Sequence, residues 1–143
     1  MTTWLVKVLS IWLLIIVIES LNGAIRELIF VPVIGEIAAR YISFVTGLAL
    51  IFCISIRAGK WIGNNGHRNL IAQGLIWCVL TFGFEIVLTV TTRSDPYAHL
   101  LRDYDIYSGG LMPYGLIFLI FAPLLAAGVR SWFLQEDHLS RIS

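Results

Sequence analysis

Polar side chains interrupt two of the apolar runs in this chain. Glu19, Asn22 and Arg26 lie in the first run, and Glu85 lies in the third. A charge inside a bilayer is costly unless it is paired, hydrated or neutralised, so such residues mark an internal ionic lock or a working site. A carboxyl group there can hold a proton or a cation, and a nearby Arg can balance its charge. These four residues are therefore the candidates for chemistry.

Helical geometry groups these residues on two faces. At roughly 100° per residue, Glu19, Asn22 and Arg26 share an arc of about 100°. A small and polar stripe follows one side of the third run and consists of Gly74, Cys78, Thr81, Glu85, Thr89 and Thr92. Small residues allow close helix approach, and hydroxyls can bond across it. We therefore predict that the first and third runs face each other. The predicted polar centre consists of Glu19, Asn22, Arg26, Thr81, Glu85 and Thr89.

The charges of this predicted centre do not balance. An Arg26 between Glu19 and Glu85 leaves one negative charge in surplus, so we expect one carboxyl group to hold a proton. Three interpretations remain open at this point: a network that fixes helix order, a cavity for a proton, cation or polar ligand, and a contact with a partner subunit. The sequence predicts no catalytic residues, no cofactor and no metal site. His99, Asp103 and Asp105 are better explained as a solvated face than as metal ligands.

Composition identifies the elements that must position these residues. Of 143 residues, 58% are apolar and 13% are charged, with a mean hydropathy of +0.84. Crossing a bilayer core takes about 20 helical residues. Four stretches are long enough, and they cover approximately residues 4–25 (or to 31), 38–56, 70–90 and 111–132. The sequence thus predicts an all-α, integral membrane four-helix bundle, in which residues 1–143 form a single transmembrane domain.

Basic residues indicate the orientation of the bundle. With the N-terminus inside, the cytoplasmic segments carry Lys7, Arg57, Lys60, Arg68, Arg130 and Arg141. The opposite side carries Arg26, Arg40, Arg93 and Arg102, together with several acidic residues. We therefore expect a multi-pass protein of a cell inner membrane with both termini in the cytoplasm.

Three connecting segments have their own signals. Asp95 and Pro96 favour a helix start, and a short interfacial helix is predicted over residues 97–106. Residues 57–68 are basic and rich in Gly and Asn, which predicts a turn against an anionic leaflet. A phosphate-binding loop there is the less favoured alternative, because no Walker spacing is present. Residues 27–35 either continue the first helix outward or fold back as a hairpin at Pro32.

Part of the first run resembles the Glu-x-x-Asn-x-Ala-Ile-Glu segment of prokaryotic diacylglycerol kinase. The matching residues are Glu19, Asn22, Ala24 and Ile25. In that family, the Glu and the Asn belong to the catalytic site. Arg26 stands here in place of the second Glu, which helps to hold magnesium in the family. We therefore do not expect lipid kinase activity.

Two further resemblances bear on function. Glu19 is similar in position to the essential Glu of the first helix in small multidrug resistance transporters, which implies proton-coupled export. The series Asn22 to Glu27, Pro32-x-x-Gly35, Phe84-Glu85 and Asp103-Tyr104-Asp105 looks similar to small bacterial inner-membrane proteins of unassigned activity. That resemblance implies four spans and carries no catalytic residue. Either transporter or kinase similarity implies a bacterial origin.

The sequence leads to two hypotheses of function. In the first, the chain is a non-enzymatic structural or accessory membrane protein that self-associates or binds a membrane partner protein. In the second, it is a proton- or cation-coupled small-molecule transporter that acts through Glu19 and Glu85, and a homodimer is needed because four short helices rarely enclose a path alone. In both, its partners are the lipid bilayer and membrane proteins, and nucleic acid is not among them.

Overall fold

The chain folds into long helices. The computed structural model describes residues 2–63, 66–92 and 94–140, and within them it omits the side chains of residues 2, 99, 108 and 133–140. The described residues form helices and no strand. Four helical segments are long and apolar enough to cross a membrane: Thr3–Ile34, Glu36–Ile62, His67–Thr92 and Met112–Trp132. The predicted all-α membrane four-helix bundle is confirmed.

The first span continues as one helical segment to Ile34 without folding back. It comprises α1 (Thr2–Ile25), a π-helical segment (Arg26–Phe30) and α2 (Val31–Ile34). Pro32 lies near the start of α2, where its missing N–H and ring are tolerated because the wider π turn precedes it. The span ends at Gly35, which has a φ of +82°. Gly adopts this backbone conformation readily, whereas other residues are strained in it. The hairpin alternative for residues 27–35 is therefore excluded.

The second span, α3 (Glu36–Ile62), is longer than predicted, and the third is α4 (His67–Thr92). Residues 57–62 were predicted as a turn, and this prediction is wrong because they continue α3. Ala58 and Ile62 are buried against the bundle, so packing carries the helix past Gly59. The helix ends at Gly63, whose left-handed conformation is a common helix terminator. Lys60 thus lies on a helix and not in a phosphate-binding loop.

A short helix, α5 (Pro96–Tyr104), connects the third and fourth spans. The Asp95 side chain accepts a hydrogen bond from the Ala98 N–H at 3.2 Å. This confirms the predicted cap and short helix. A 3₁₀ turn (Ile106–Ser108) follows, and α6 (Met112–Ser140) then runs through Pro123 as one helix. Arg93 and Arg141 lie outside the described residues.

The bundle is held by a narrow core. Trp77 is completely buried and donates its indole N–H to the Val8 carbonyl oxygen at 2.9 Å, which joins α4 to α1. Gly74 lies directly against the main-chain carbonyl of Ile120, so α4 and α6 touch backbone to backbone. Many large apolar residues remain exposed, as a helix bundle surrounded by lipid allows.

Candidate polar site

Glu19 and Asn22 lie one helical turn apart on α1 and face α3. Asn22 is 8% exposed, and its amide donates to the Ser43 carbonyl oxygen at 2.9 Å. The same amide nitrogen lies 3.4 Å from Glu19 Oε2, which is a longer and weaker hydrogen bond. A backbone carbonyl has two lone pairs, so Ser43 can serve its own helix and Asn22 together. The two polar residues therefore tie the first span to the second.

Gly47 makes room for this contact. A Cβ atom at position 47 would lie 2.6 Å from Glu19 Oε2 and 3.2 Å from Asn22 Nδ2. Real Cβ atoms do not approach an oxygen that closely, so any side chain here would displace the carboxylate. Ser43 and Gly47 are the functional positions that sequence reasoning missed. The sequence does contain a signal for them, because mostly small residues recur at four-residue spacing in this helix. These residues are buried along α3: Ala39, Ser43, Gly47, Ile51 and Ser55.

One oxygen of Glu19 is left without a donor. Oε1 is buried and has no hydrogen-bond partner within the described part of the chain. Leaving a polar atom buried and unbonded costs free energy, and the cost is larger for a charged group. A proton on this carboxyl group would remove its charge, and a ligand or a partner protein could supply the missing hydrogen bond.

Arg26 does not lie between the two carboxylates as predicted. Its guanidinium donates to Glu27 Oε1 at 2.8 Å, and the two side chains are 33% and 51% exposed. Glu19 forms no ion pair among the described residues. The physical reason is hydration, because a long Arg side chain in the last third of the span extends toward water more readily than into a low-dielectric interior.

The third span contacts the first at Trp77 and Thr81, one turn or more before the predicted contact at Glu85. The Trp12 indole N–H donates to Thr81 Oγ1 at 3.1 Å, one turn beyond the Trp77 contact. Thr89 is buried, at 4% exposure. The first and third spans thus do meet, but Glu19 and Asn22 face the second span.

Glu85 belongs to a second group of polar residues, around Tyr104 on α5. The Tyr104 ring packs edge-on against Phe82, with centroids 5.8 Å apart and an interplanar angle of 86°. Its hydroxyl is buried and has no hydrogen-bond partner among the described residues. Burial, and to a smaller extent the nearby Glu85, Cys78 and Asp103, together raise the pKa of Tyr104 to about 12.

Ion pairs hold α5 against the start of α3. Arg102 lies 3.0 Å from Glu36 Oε1, and Arg40 lies 3.3 Å from the same oxygen. Arg40 also lies 4.0 Å from Asp103 Oδ1. These side chains are partly or largely exposed, so each pair contributes little stability by itself. Together they position Tyr104 over the C-terminal part of the third span.

Within the described residues, no group of three or more His, Cys, Asp or Glu side chains converges to hold a metal ion. Cys53 and Cys78 are both free thiols. An open groove of about 290 Å³ lies between α1 and α3 beside Asn22, with Thr46 as its other polar residue. The arrangement can therefore bind a proton, a hydrogen-bond donor or a neighbouring helix.

The similarity to diacylglycerol kinases and to multidrug transporters rests on short motifs only. Comparison with protein-family models, with curated proteins and with solved structures returned no match.

Proposed function

We propose that this chain is a structural or accessory protein of a bacterial inner membrane that self-associates or binds a membrane partner. The observation that carries this proposal is the use made of the embedded polar residues. The Asn22 amide donates a hydrogen bond to the Ser43 backbone carbonyl, and the Glu19 carboxylate lies against Gly47. Both residues act between helices, as expected of groups that organise a bundle.

The exposure of the first span supports an association role. In its most apolar stretch of 18 residues, only 11% of the residues are buried, against 22% in each of the other three candidate spans. The groove beside Asn22 lies along the line of contact, or seam, between α1 and α3. A helix from a second copy or from a partner can lie there and reach polar atoms that lipid tails cannot satisfy.

Association is tested with two differently tagged copies of the chain, co-expressed and extracted in a membrane-active polymer. Leu21→Trp fills the groove beside Asn22, and Val79→Trp places the same bulk on an exposed position of α4. We expect co-purification of the two copies to be lost with Leu21→Trp and kept with Val79→Trp. If the wild-type copies do not co-purify, self-association is excluded, and crosslinking from position 21 then tests for a partner protein.

Proton- or cation-coupled transport through Glu19 and Glu85 is the second candidate function. The buried Oε1 of Glu19, without a donor in the described chain, favours it because a carboxyl group in that state can exchange a proton. The test is proton flux into proteoliposomes that contain a trapped pH dye. Flux that Glu19→Gln or Glu85→Gln abolishes, with unchanged melting temperature, would replace the accessory role by transport. Loss of stability without any wild-type flux would exclude transport.

The orientation proposed for the chain has both termini in the cytoplasm. Its support is the larger number of Lys and Arg residues at the end of the bundle that holds the termini, six against four at the other end. Fusion of a cytoplasm-active fluorescent reporter or a periplasm-active phosphatase to the C-terminus tests it. Fluorescence without phosphatase activity is expected, and the reverse pattern would contradict the orientation.

A further inference from the structure

A second groove lies between α1 and α3, at the end of the bundle where the chain termini lie. Its volume is about 360 Å³, and its walls include Ile11, Leu14 and Ile54. The only charged residue that lines it is Arg57, and Trp61 lies one turn further along α3. The groove is thus apolar along its length and basic at one end.

Two of the cations at that end, both on α3, have no counterion among the described residues. Arg57 and Lys60 form no hydrogen bond or ion pair among the described residues, and they are neighbours on α3 at the i, i+3 spacing. Arg57 lies five residues before the end of α3 at Ile62, which is roughly 7.5 Å along the helix axis. An unpaired guanidinium at that depth is stabilised most by an anion with paired oxygens.

Lys7 fixes the aromatic residue at the groove's end. Its ammonium group donates to the Trp61 carbonyl oxygen at 2.8 Å and lies 5.4 Å from the centre of the Trp61 ring. Trp is favoured at the level of lipid headgroups, so this contact marks the depth at which a headgroup would lie. Lys7 contacts Trp61 in this way, whereas Arg57 and Lys60 have no partner among the described residues and can bind a ligand.

We propose that this groove binds an anionic phospholipid, with its phosphate at Arg57 and Lys60 and an acyl chain along Ile11, Leu14 and Ile54. The apolar walls match an acyl chain, and the unpaired cations match a phosphate that carries net negative charge. A free phosphate would leave those walls exposed, and an apolar helix would leave the cations unpaired. The site is independent of the proposed association surface, which lies beside Asn22 in the other half of the seam.

The test is native mass spectrometry of the full-length protein in non-ionic detergent with added lipid. Phosphatidylglycerol is compared with phosphatidylcholine, and glycerol 3-phosphate serves as the headgroup without acyl chains. We expect the protein to retain phosphatidylglycerol preferentially and not to retain glycerol 3-phosphate. Arg57→Gln and Lys60→Gln should each weaken phosphatidylglycerol binding about fivefold, the effect typical of one basic residue near an anionic membrane surface.

Two further variants separate the groove from general charge attraction. Arg68→Gln removes an exposed charge at the same end of the bundle but outside the groove, and it should leave binding unchanged. Leu14→Trp fills the apolar part from an exposed position and should weaken binding while every charge remains. Melting temperatures are measured in parallel, and Arg57→Lys should keep most of the binding if Arg57→Gln is unstable.

Several outcomes would overturn the proposal. Equal retention of phosphatidylglycerol and phosphatidylcholine would mean that charge does not select the lipid. An Arg68→Gln loss as large as that of Arg57→Gln would mean that the whole basic end acts diffusely. Retention of glycerol 3-phosphate would identify a phosphate site that needs no acyl chain.

Discussion

The Asn22 side-chain amide bonds to the Ser43 main-chain carbonyl at 2.9 Å, so a side chain of the first span is fixed to the backbone of the second. In an α-helix, that carbonyl also accepts the N–H of residue 47. Gly47 has no side chain to cover the carbonyl, and the amide can therefore reach its second lone pair. The close approach of the two helices and the hydrogen bond depend on each other.

Replacing Asn22 by Leu should lower the free energy of unfolding by about 1–2 kcal/mol. The substitution removes the bond to Ser43 and the contact of the amide with Glu19 Oε2. Unfolding in a graded detergent mixture, followed by tryptophan fluorescence, measures the change. Ser20→Leu, at an exposed position of the same helix, is the control and should have no such effect.

Replacing Gly47 by Ala should destabilise the protein by about 1 kcal/mol, because the added methyl group must displace the Glu19 carboxylate, which lies at the end of a flexible side chain and can shift. Gly23→Ala, where no atom lies within 4 Å of the added carbon, is the matched control on α1. In the double variant with Glu19→Ala, the cost of Gly47→Ala should shrink by about 0.5 kcal/mol or more. Additive effects of the two substitutions would contradict the contact.

Replacing Gly74 by Ala should cost about 3 kcal/mol, since the methyl group would overlap the Ile120 carbonyl and backbone cannot move as a side chain can. Gly83→Ala on the same helix meets no atom within 4 Å and should leave stability unchanged or raise it slightly. Melting temperatures of the two variants in one detergent test this pair. Equal melting temperatures would show that α4 and α6 do not touch at Gly74.

The buried hydroxyl of Tyr104 should make stability fall in alkali. Its pKa is raised to about 12 from an ordinary value of 10.0, so the folded state keeps the proton after the unfolded state has lost it. The unfolded state is then favoured increasingly as pH rises above 10 toward 12, and there is no effect below that range. Tyr104→Phe should have a flatter decline in melting temperature between pH 10 and pH 12. An identical decline in both proteins would contradict the shift.

The same residue has a spectroscopic signature. The difference in absorbance at 295 nm between the wild type and Tyr104→Phe, titrated in the folded state, should show a single ionisation with a midpoint near the raised pKa of about 12. Glu85→Gln removes one of the charges that raise this pKa, so the midpoint should then move down. A midpoint that does not respond to Glu85→Gln would place the two residues too far apart to interact.

The sequence alone determined the class, the four spans and the residues worth examining. Span length and hydropathy are properties of a continuous stretch, and the Asp95 cap is set by its neighbours, so all of these can be read locally. The helical period likewise placed Glu19 and Asn22 on one face of the first span. Sequence reasoning failed first at the span ends, where burial of Ala58 and Ile62 extends α3 beyond the apolar run.

Only the tertiary structure decided which helix each polar face meets. The first span presents Glu19 and Asn22 to α3, because the small stripe of α3 at Ser43 and Gly47 lets the two backbones approach there. Glu85 lies instead near Tyr104, which arrives from a separate helix, and Arg26 extends to Glu27. The period of a helix fixes a direction around its own axis. Which neighbour occupies that direction depends on steric fit between surfaces far apart in sequence.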